Sequence, residues 1–233
     1  MQFHTDCEGC NTRLQSIFNN LSKEELNRFS KCKSCMSCEN GQIIFEEGGH
    51  PRGLYIVNSG KIKISKYCEA GKEQIMRLAN KGDIIGYRAL LSSELYACSA
   101  TAVNKTSLCF IPKDNFLGLI TSNGELALKM MKLLSYDLKM AEKKISHLTH
   151  KTIRERVAES LLLLKETYGY CSDNVTINID LNRAEIASLV GTTRETVTRM
   201  LYEFKDDGLL ELNEKKIAII NHKQLLKTAN IFH

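Results

Sequence analysis

The stretch that decides the fold is Arg183-Ala-Glu-Ile-Ala-Ser-Leu-Val-Gly-Thr-Thr-Arg-Glu-Thr-Val-Thr-Arg-Met-Leu-Tyr202. Ile186, Ala187 and Val190 make the inner face of a short helix, and Ala187 is small enough for a second helix to cross close by. Gly191 ends the first helix in the left-handed conformation that only glycine adopts cheaply. Thr192 and Thr193 can cap the second, and Glu195, three residues after Thr192, has the spacing of a capping box. Val197, Met200 and Leu201 then point inward, while Arg194, Glu195, Thr198 and Arg199 stay outside. The pattern is that of a helix-turn-helix, whose second helix enters the DNA major groove by its N-terminal turn.

The outward residue types suit that task. Arginine offers two parallel donors to guanine O6 and N7, and glutamate accepts from cytosine N4, each good pair giving about 1–3 kcal/mol of discrimination. Arg194, Glu195 and Arg199 are therefore the expected base readers, with Glu195 the one that capping alone would also explain. The hydroxyls of Thr192, Thr193 and Thr198 suit phosphates. The competing reading is an ordinary helical hairpin with a solvated charged face.

Downstream, Gly208-Leu209-Leu210-Glu211-Leu212, Asn213-Glu214-Lys215-Lys216 and Ile217-Ala218-Ile219-Ile220 read as a β-hairpin wing. Lys215 and Lys216 are expected at its tip, with Lys216 within reach of phosphate.

Upstream, a helix over about Ile153 to Thr167 carries Ile153, Val157, Leu161 and Leu164 on one face, and Tyr168 to Asn174 reads as a loop. Before it, Ala127, Met131, Leu134, Leu138, Ala141, Ile145 and Leu148 alternate in steps of four and three, a heptad seam of about three repeats. That seam suits either a two-chain coiled coil or a helix covering its own domain. From Gly41 to Pro112 the chain holds short β-rich runs punctuated by glycine: 43–45, 54–57, 61–65, 74–78, 100–103 and 107–111. Many short strands at that spacing predict a small antiparallel roll or jelly roll. The expected organisation is α+β. It comprises a Cys-rich N-terminal segment with a helix (1–40), a sensory β-roll (41–120), a dimerisation helix (121–148) and a winged helix-turn-helix domain (149–233).

The composition, 43% hydrophobic and 25% charged, is that of an ordinary globular protein. No run of about 18 apolar residues occurs, and Met-Gln-Phe-His-Thr-Asp-Cys lacks the basic and apolar regions of an export signal, so a cytoplasmic protein with no membrane partner is expected. The net charge of +5 does not locate a DNA-binding part, because residues 149–233 hold 12 basic and 12 acidic side chains. Nine cysteines in a reducing compartment read as thiols, metal ligands or redox sensors rather than a disulfide framework. Five of them, Cys7, Cys10, Cys32, Cys35 and Cys38, crowd the first forty residues.

In this order the segments closely resemble the Crp/Fnr regulators over about residues 14–230. Val190-Gly-Thr-Thr-Arg-Glu-Thr-Val-Thr-Arg-Met-Leu resembles the family's recognition helix, and Gly82-Asp-Ile-Ile-Gly and Leu54-Tyr-Ile-Val-Asn-Ser-Gly-Lys-Ile-Lys resemble its β-roll signatures. The resemblance implies a DNA-binding transcription regulator, a parallel homodimer through the heptad helix that binds a two-fold operator and works with RNA polymerase. Arg194, Glu195 and Arg199 resemble the cAMP receptor branch, which implies a TGTGA-like half-site. The sensory domain departs from that branch: Tyr87 stands where the ribose-binding glutamate is expected, and Tyr96 and Ala97 stand where an arginine and a serine clamp the cyclic phosphate. Without a bidentate arginine a buried phosphate has no charge partner, which argues against cAMP. The effector pocket would then fall at Tyr87, Arg88, Tyr96 and Cys98.

Cys109, in Leu-Cys-Phe-Ile-Pro, falls at the position of the roll cysteine that ligates the iron-sulfur cluster in the Fnr branch. The N-terminal cysteines could supply the other ligands of a cluster, which takes four thiolates. Zinc is a second reading, since Cys7-x2-Cys10 and Cys35-x2-Cys38 form two pairs, though the 24 residues between them exceed the usual spacing. Metal-free thiol oxidation is a third, and scattered unligated cysteines a fourth. Two other classes of protein also fit parts of the chain: a metal enzyme on the roll, and a ligand-binding or scaffold module. The enzyme would need clustered histidines and a carboxylate, yet only His50 lies in the roll, so no enzyme is expected.

Overall fold

A computed structural model of the 233-residue chain describes residues 7–68 and 71–231. The expectation drawn from Met1 to Cys7 lies, but for Cys7, outside them. The elements are α1 (Asn11–Gln15), α2 (Lys23–Cys32), β1 (Ser34–Cys38), β2 (Ile43–Phe45), β3 (Gly53–Ser59), β4 (Ile62–Tyr67), β5 (Glu73–Ala79), β6 (Ile84–Ile85), α3 (Tyr87–Ser92), β7 (Ser99–Ala102) and β8 (Thr106–Pro112). They continue with α4 (Lys113–Ser122), α5 (Gly124–His150), α6 (Ile153–Tyr168), α7 (Arg183–Val190), α8 (Arg194–Asp206), β9 (Leu210–Asn213), β10 (Lys216–Ile219) and α9 (His222–Thr228).

The chain forms two compact units, one of residues 1–66 and 76–138 and the other of residues 67–75 and 139–233. Residues 67–68 and 71–75 therefore group with the C-terminal unit, and the boundary falls inside α5 rather than near residue 148. Within that unit the Ile75 N–H donates to Ser188 Oγ at 2.8 Å, and Ser188 Oγ donates to the Glu73 carbonyl at 2.7 Å.

The first unit is built on the expected antiparallel roll, from two four-stranded sheets in the orders β1-β8-β3-β6 and β2-β7-β4-β5. β1 corrects the sequence reading, which places Cys32 to Cys38 before the first strand. Ser34 to Cys38 form that strand and pair with β8, Cys35 opposite Cys109. Val57, Ile62, Ala100 and Leu108 fill the roll interior, fully buried, and Cys38 joins them there. The other face of β3 carries Leu54 and Ile56 into a second core with Phe18, Phe29, Tyr87 and Phe116. Covered on both faces, β3 needs the continuous apolar run Leu54-Tyr-Ile-Val rather than alternation.

The N-terminal segment holds two helices, where the sequence suggests one. Ser22 caps α2 in a reciprocal box with Glu25. Arg13, 6% exposed, donates to four backbone carbonyls: Nε to Cys7 at 2.8 Å, Nη1 to Phe18 and Asn19 at 3.0 Å each, and Nη2 to Glu8 at 3.3 Å. A buried cation is tolerated when its donors are satisfied in this way.

Helix α5 carries two apolar stripes. Leu126 and Met130 are buried, and Leu133 and Leu134 pack beside them on the second core. Met131, Leu138, Ile145 and Leu148 point outward at 56, 62, 64 and 44% exposure. Of the heptad positions, Met131, Leu138, Ala141, Ile145 and Leu148 are exposed, Ala127 is half-buried, and Leu134 turns toward its own unit. Beside this stripe the Tyr87 hydroxyl donates to Asp137 Oδ2, and Arg77 Nη1 reaches Tyr87 Oη at 2.9 Å and Asp137 Oδ2 at 3.3 Å.

In the second unit α6 begins at a capping box of Thr152 with Glu155 and buries Val157, Leu161 and Leu164. Just beyond the predicted loop, Ile177 bridges back to Tyr170 and Thr176 bridges to Ala218 of the wing.

Leu161 is fully buried, so Leu161→Ala should destabilise the C-terminal unit by about 2–5 kcal/mol, read from its denaturant midpoint. Burial, with Asp137 adding and Arg77 opposing, pushes the Tyr87 phenol up to about 12. The unfolded chain ionises this group near its ordinary value of 10, so its contribution is present below that pH and is lost as pH rises toward the folded value. The wild type should lose more stability across this alkaline window than Tyr87→Phe does, and equal losses would contradict the assignment.

Candidate nucleic-acid interface and sensory positions

The two helices of the decisive stretch fold as their apolar spacing requires. Ile186, Ala187 and Val190 are buried, and Gly191 ends α7 with φ +77°, its N–H and that of Thr192 both returning to the Ala187 carbonyl. A Cβ at Gly191 would stand 3.2 Å from Leu148 Cδ2, so conformation and space both favour glycine there.

The cap of α8 differs from the expected box. Thr193, not Thr192, is the N-cap, and its side chain accepts from the Thr196 N–H at 3.3 Å. Glu195 consequently takes no part in capping. Val197, Leu201 and Phe204 are fully buried and Met200 nearly so, which turns Arg194, Glu195 and Arg199 to the surface. Among the described residues, Arg194 and Glu195 make no side-chain hydrogen bond or ion pair. Arg199 Nε lies 3.9 Å from Glu203 Oε1, an exposed (i, i+4) pair of the kind that contributes only about 0.3–0.5 kcal/mol. Thr198 Oγ1 donates to the Arg194 carbonyl at 2.8 Å and retains its acceptor lone pairs.

The wing pairs β9 with β10, Asn213 opposite Lys216. Its turn is Glu214-Lys215, with Glu214 at φ +51°, so Lys216 is the first strand residue rather than part of the tip. Between wing and helices runs a groove of about 370 Å³ lined by Arg183, Arg194, Glu214 and Lys215 among others. Arg183 and the groove position of Lys215 are not legible in the sequence, because nothing in linear spacing brings the start of α7 to the wing. Arg183 Nη2 donates to the Glu214 carbonyl at 3.3 Å, while its Nη1 is buried without a partner among the described residues. The groove thus gathers three cations around the N-terminal turn of α8, where the helix dipole also favours anions.

At the sensory positions, two tyrosines are buried. Tyr87 is 2% exposed and its hydroxyl is committed to Asp137. Tyr96 stacks on Phe45, ring centroids 4.0 Å apart, with its buried hydroxyl lacking a partner among the described residues. Burial pushes the Tyr96 phenol well above the usual tyrosine range. Arg88 is exposed and Cys98 half-buried, where desolvation raises its thiol and the Arg88 charge opposes.

The six candidate metal ligands separate into groups. Cys38 is buried in the roll interior, and Cys32 donates to the Phe29 carbonyl at 3.3 Å. Cys109 stands opposite Cys35 in the ladder, with Cys10 and Lys33 close by, and the Lys33 ammonium bonds Cys7. Burial and the Cys35 sulfur hold the Cys109 thiol well above its ordinary pKa, against the pull of Lys33. For Lys33, burial lowers the pKa, but the Cys7 hydrogen bond and the neighbouring sulfurs outweigh it and raise the ammonium. Among the described residues no three His, Cys, Asp or Glu side chains are arranged to hold a metal ion.

Comparison with known proteins meets this architecture at both ends. Residues 35–123 match the model of the cyclic nucleotide-binding domain, and residues 155–228 match that of the Crp-like helix-turn-helix domain. The chain is 30% identical over 186 residues to the global nitrogen regulator of Nostoc sp., covering 78% of this chain and 82% of that protein. It is 27% identical over 227 residues to the fumarate and nitrate reduction regulatory protein of Vibrio cholerae, covering 97% and 90%. Among solved structures, FixK2 from Bradyrhizobium japonicum superposes with a TM-score of 0.77 at 23% identity, covering 86% of this chain and 99% of that one. A Crp/Fnr-family regulator from Thermus thermophilus gives 0.72 at 25% identity, covering 85% and 99%. With the roll, the helix-turn-helix and the wing all in place, the chain belongs to the Crp/Fnr family of transcriptional regulators.

Proposed function

We propose that this regulator reads a two-fold DNA operator as a homodimer, in the cytoplasm and in concert with RNA polymerase, under a signal other than cAMP. The observation that carries the reading is the N-terminal turn of α8, where Arg194 and Glu195 stand exposed and uncommitted while the opposite face is buried. Arg194, Glu195 and Arg199 contact base edges. Thr192, Thr193, Thr198 and Lys216 contact the backbone, joined by Arg183 and Lys215 from the groove beside them.

Two-fold symmetry follows from α5. Its outward stripe of Met131, Leu138, Ala141, Ile145 and Leu148 is the surface for a second copy, which sets two recognition helices about one DNA turn apart. Membership of a family of regulators supports a non-enzymatic role. No helix among the described residues is long and apolar enough to cross a membrane.

Two features favour a signal other than cAMP. Tyr87 and Tyr96 occupy the positions of the nucleotide contacts, and no arginine stands there to pair with a cyclic phosphate. The signal is instead read by the roll or by the N-terminal cysteines. An iron-sulfur cluster or zinc would draw on Cys7, Cys10, Cys35 and Cys109, and either would require those thiols to move into a joint arrangement.

Electrophoretic mobility shift with a palindromic TGTGA-type probe tests the DNA reading. Arg194→Ala should weaken binding about 10- to 100-fold on the preferred probe and relax preference at one base pair, consistent with about 1–3 kcal/mol per bidentate contact. Lys216→Ala should weaken all probes alike and lower the salt slope by about 1. Equal losses on every probe for both variants would contradict base reading. Replacing Leu138 and Ile145 by glutamate should convert the dimer to monomer in sedimentation, with loss of operator binding. An unchanged mass would remove the seam from the interface.

A further inference from the structure

β1 and β8 run antiparallel with Cys35 directly opposite Cys109. Opposed residues in such a ladder share a face and have Cα atoms about 4.5–5.5 Å apart, inside the range of about 4.4–6.8 Å that a disulfide bridges. The Cys35 sulfur lies close enough to push the Cys109 thiol up. Both are half-buried, so a small solute can reach them. The neighbouring cysteines are placed less favourably. Cys38 is buried and opposite Thr106, Cys32 bonds its own helix, and Cys7 is buried in a loop that Arg13 holds.

We propose that Cys35 and Cys109 form a reversible cross-strand disulfide when the protein meets a hydroperoxide, the thiol pair being the oxidant-responsive site of the regulator. This deepens, and rests on, the reading of the N-terminal and roll cysteines as sensors. The Cys35 sulfur attacks one peroxide oxygen, the O–O bond breaks, and the thiol proton leaves with the other oxygen as water or an alcohol. Cys35 is then a sulfenic acid. The Cys109 sulfur attacks it, the S–O bond breaks, and the Cys109 proton departs with the hydroxyl as water. Two thiols give up two electrons and the peroxide takes them. Lys33, close to both sulfurs, stabilises negative charge that develops on either. An external dithiol reverses the bond by exchange. The disulfide fastens β1 covalently to the centre of its sheet, and with it the turn that links β1 to α2.

The full chain, reduced without oxygen, is treated with stoichiometric hydrogen peroxide, alkylated, denatured and mapped by peptide mass. The expected result is loss of two of the nine thiols, a Cys35 peptide joined to a Cys109 peptide with two hydrogens missing, and full recovery with dithiothreitol. Cys35→Ser should abolish the loss, Cys109→Ser should stop at one lost thiol with Cys35 held as a sulfenic acid and no cross-linked peptide, and Cys32→Ser should leave the disulfide intact. Circular dichroism checks that each variant is folded. Cys109 joined to Cys7 or Cys10, or all thiols retained at a peroxide dose that oxidises free glutathione, would overturn the proposal, including retention because a bound metal holds them. Mobility shift of the reduced protein is read separately: a chain that ignores operator sequence loses its DNA-reading assignment while a mapped disulfide still stands.

Discussion

What the molecule presents to DNA depends on the burial of one helix face. Val197, Leu201 and Phe204 are fully withdrawn from water, and Met200 nearly so. Each such side chain contributes about 1.5–3 kcal/mol on burial, far more than an exposed ion pair of about 0–1 kcal/mol. Once that face is seated, helical geometry leaves Arg194, Glu195 and Arg199 only the outward direction. Gly191 sets the angle at which the helix leaves its predecessor, and Thr193 closes its first turn. The charged side chains contribute little to stability where they stand.

The helix-turn-helix is legible in the sequence because each of its devices is local. Apolar residues recur at helical spacing, a glycine marks the stop, and threonines mark the restart. The same holds for the roll, where short apolar runs between glycines name most of the strands. The capping detail resists such reading because two adjacent threonines compete, and only the backbone shows that Thr193 wins. That correction removes capping as the role of Glu195, since its carboxylate is not spent on an amide.

The parts hidden in the sequence are those decided by long-range pairing. Ser34-Cys-Met-Ser-Cys38 has few strand-forming side chains, and only Met36 and Cys38, facing the roll interior, betray it. Its register with β8 sorts six cysteines of equal standing in the sequence into a facing pair, a core residue, a helix-bound thiol and two loop thiols. Likewise, Leu134 belongs to the heptad by spacing yet packs on its own unit, because a helix covered along only part of its length can turn one seam position inward. Arg183 and Lys215 meet only through the fold of the wing.

The clamp at Arg13 has a bearing on how this segment can change over time. All four of its acceptors are backbone carbonyls, a group that nearly every amino acid supplies in the same place. The guanidinium is therefore blind to which side chains stand at positions 7, 8 and 19. Substitution at the exposed positions 8 and 19 can change the side chain without unseating the loop, whereas a point-charge lysine at position 13 could not serve four carbonyls at once. Anchorage and chemistry are carried by different atoms, and the segment is free to acquire a new responsiveness while keeping its place on the fold.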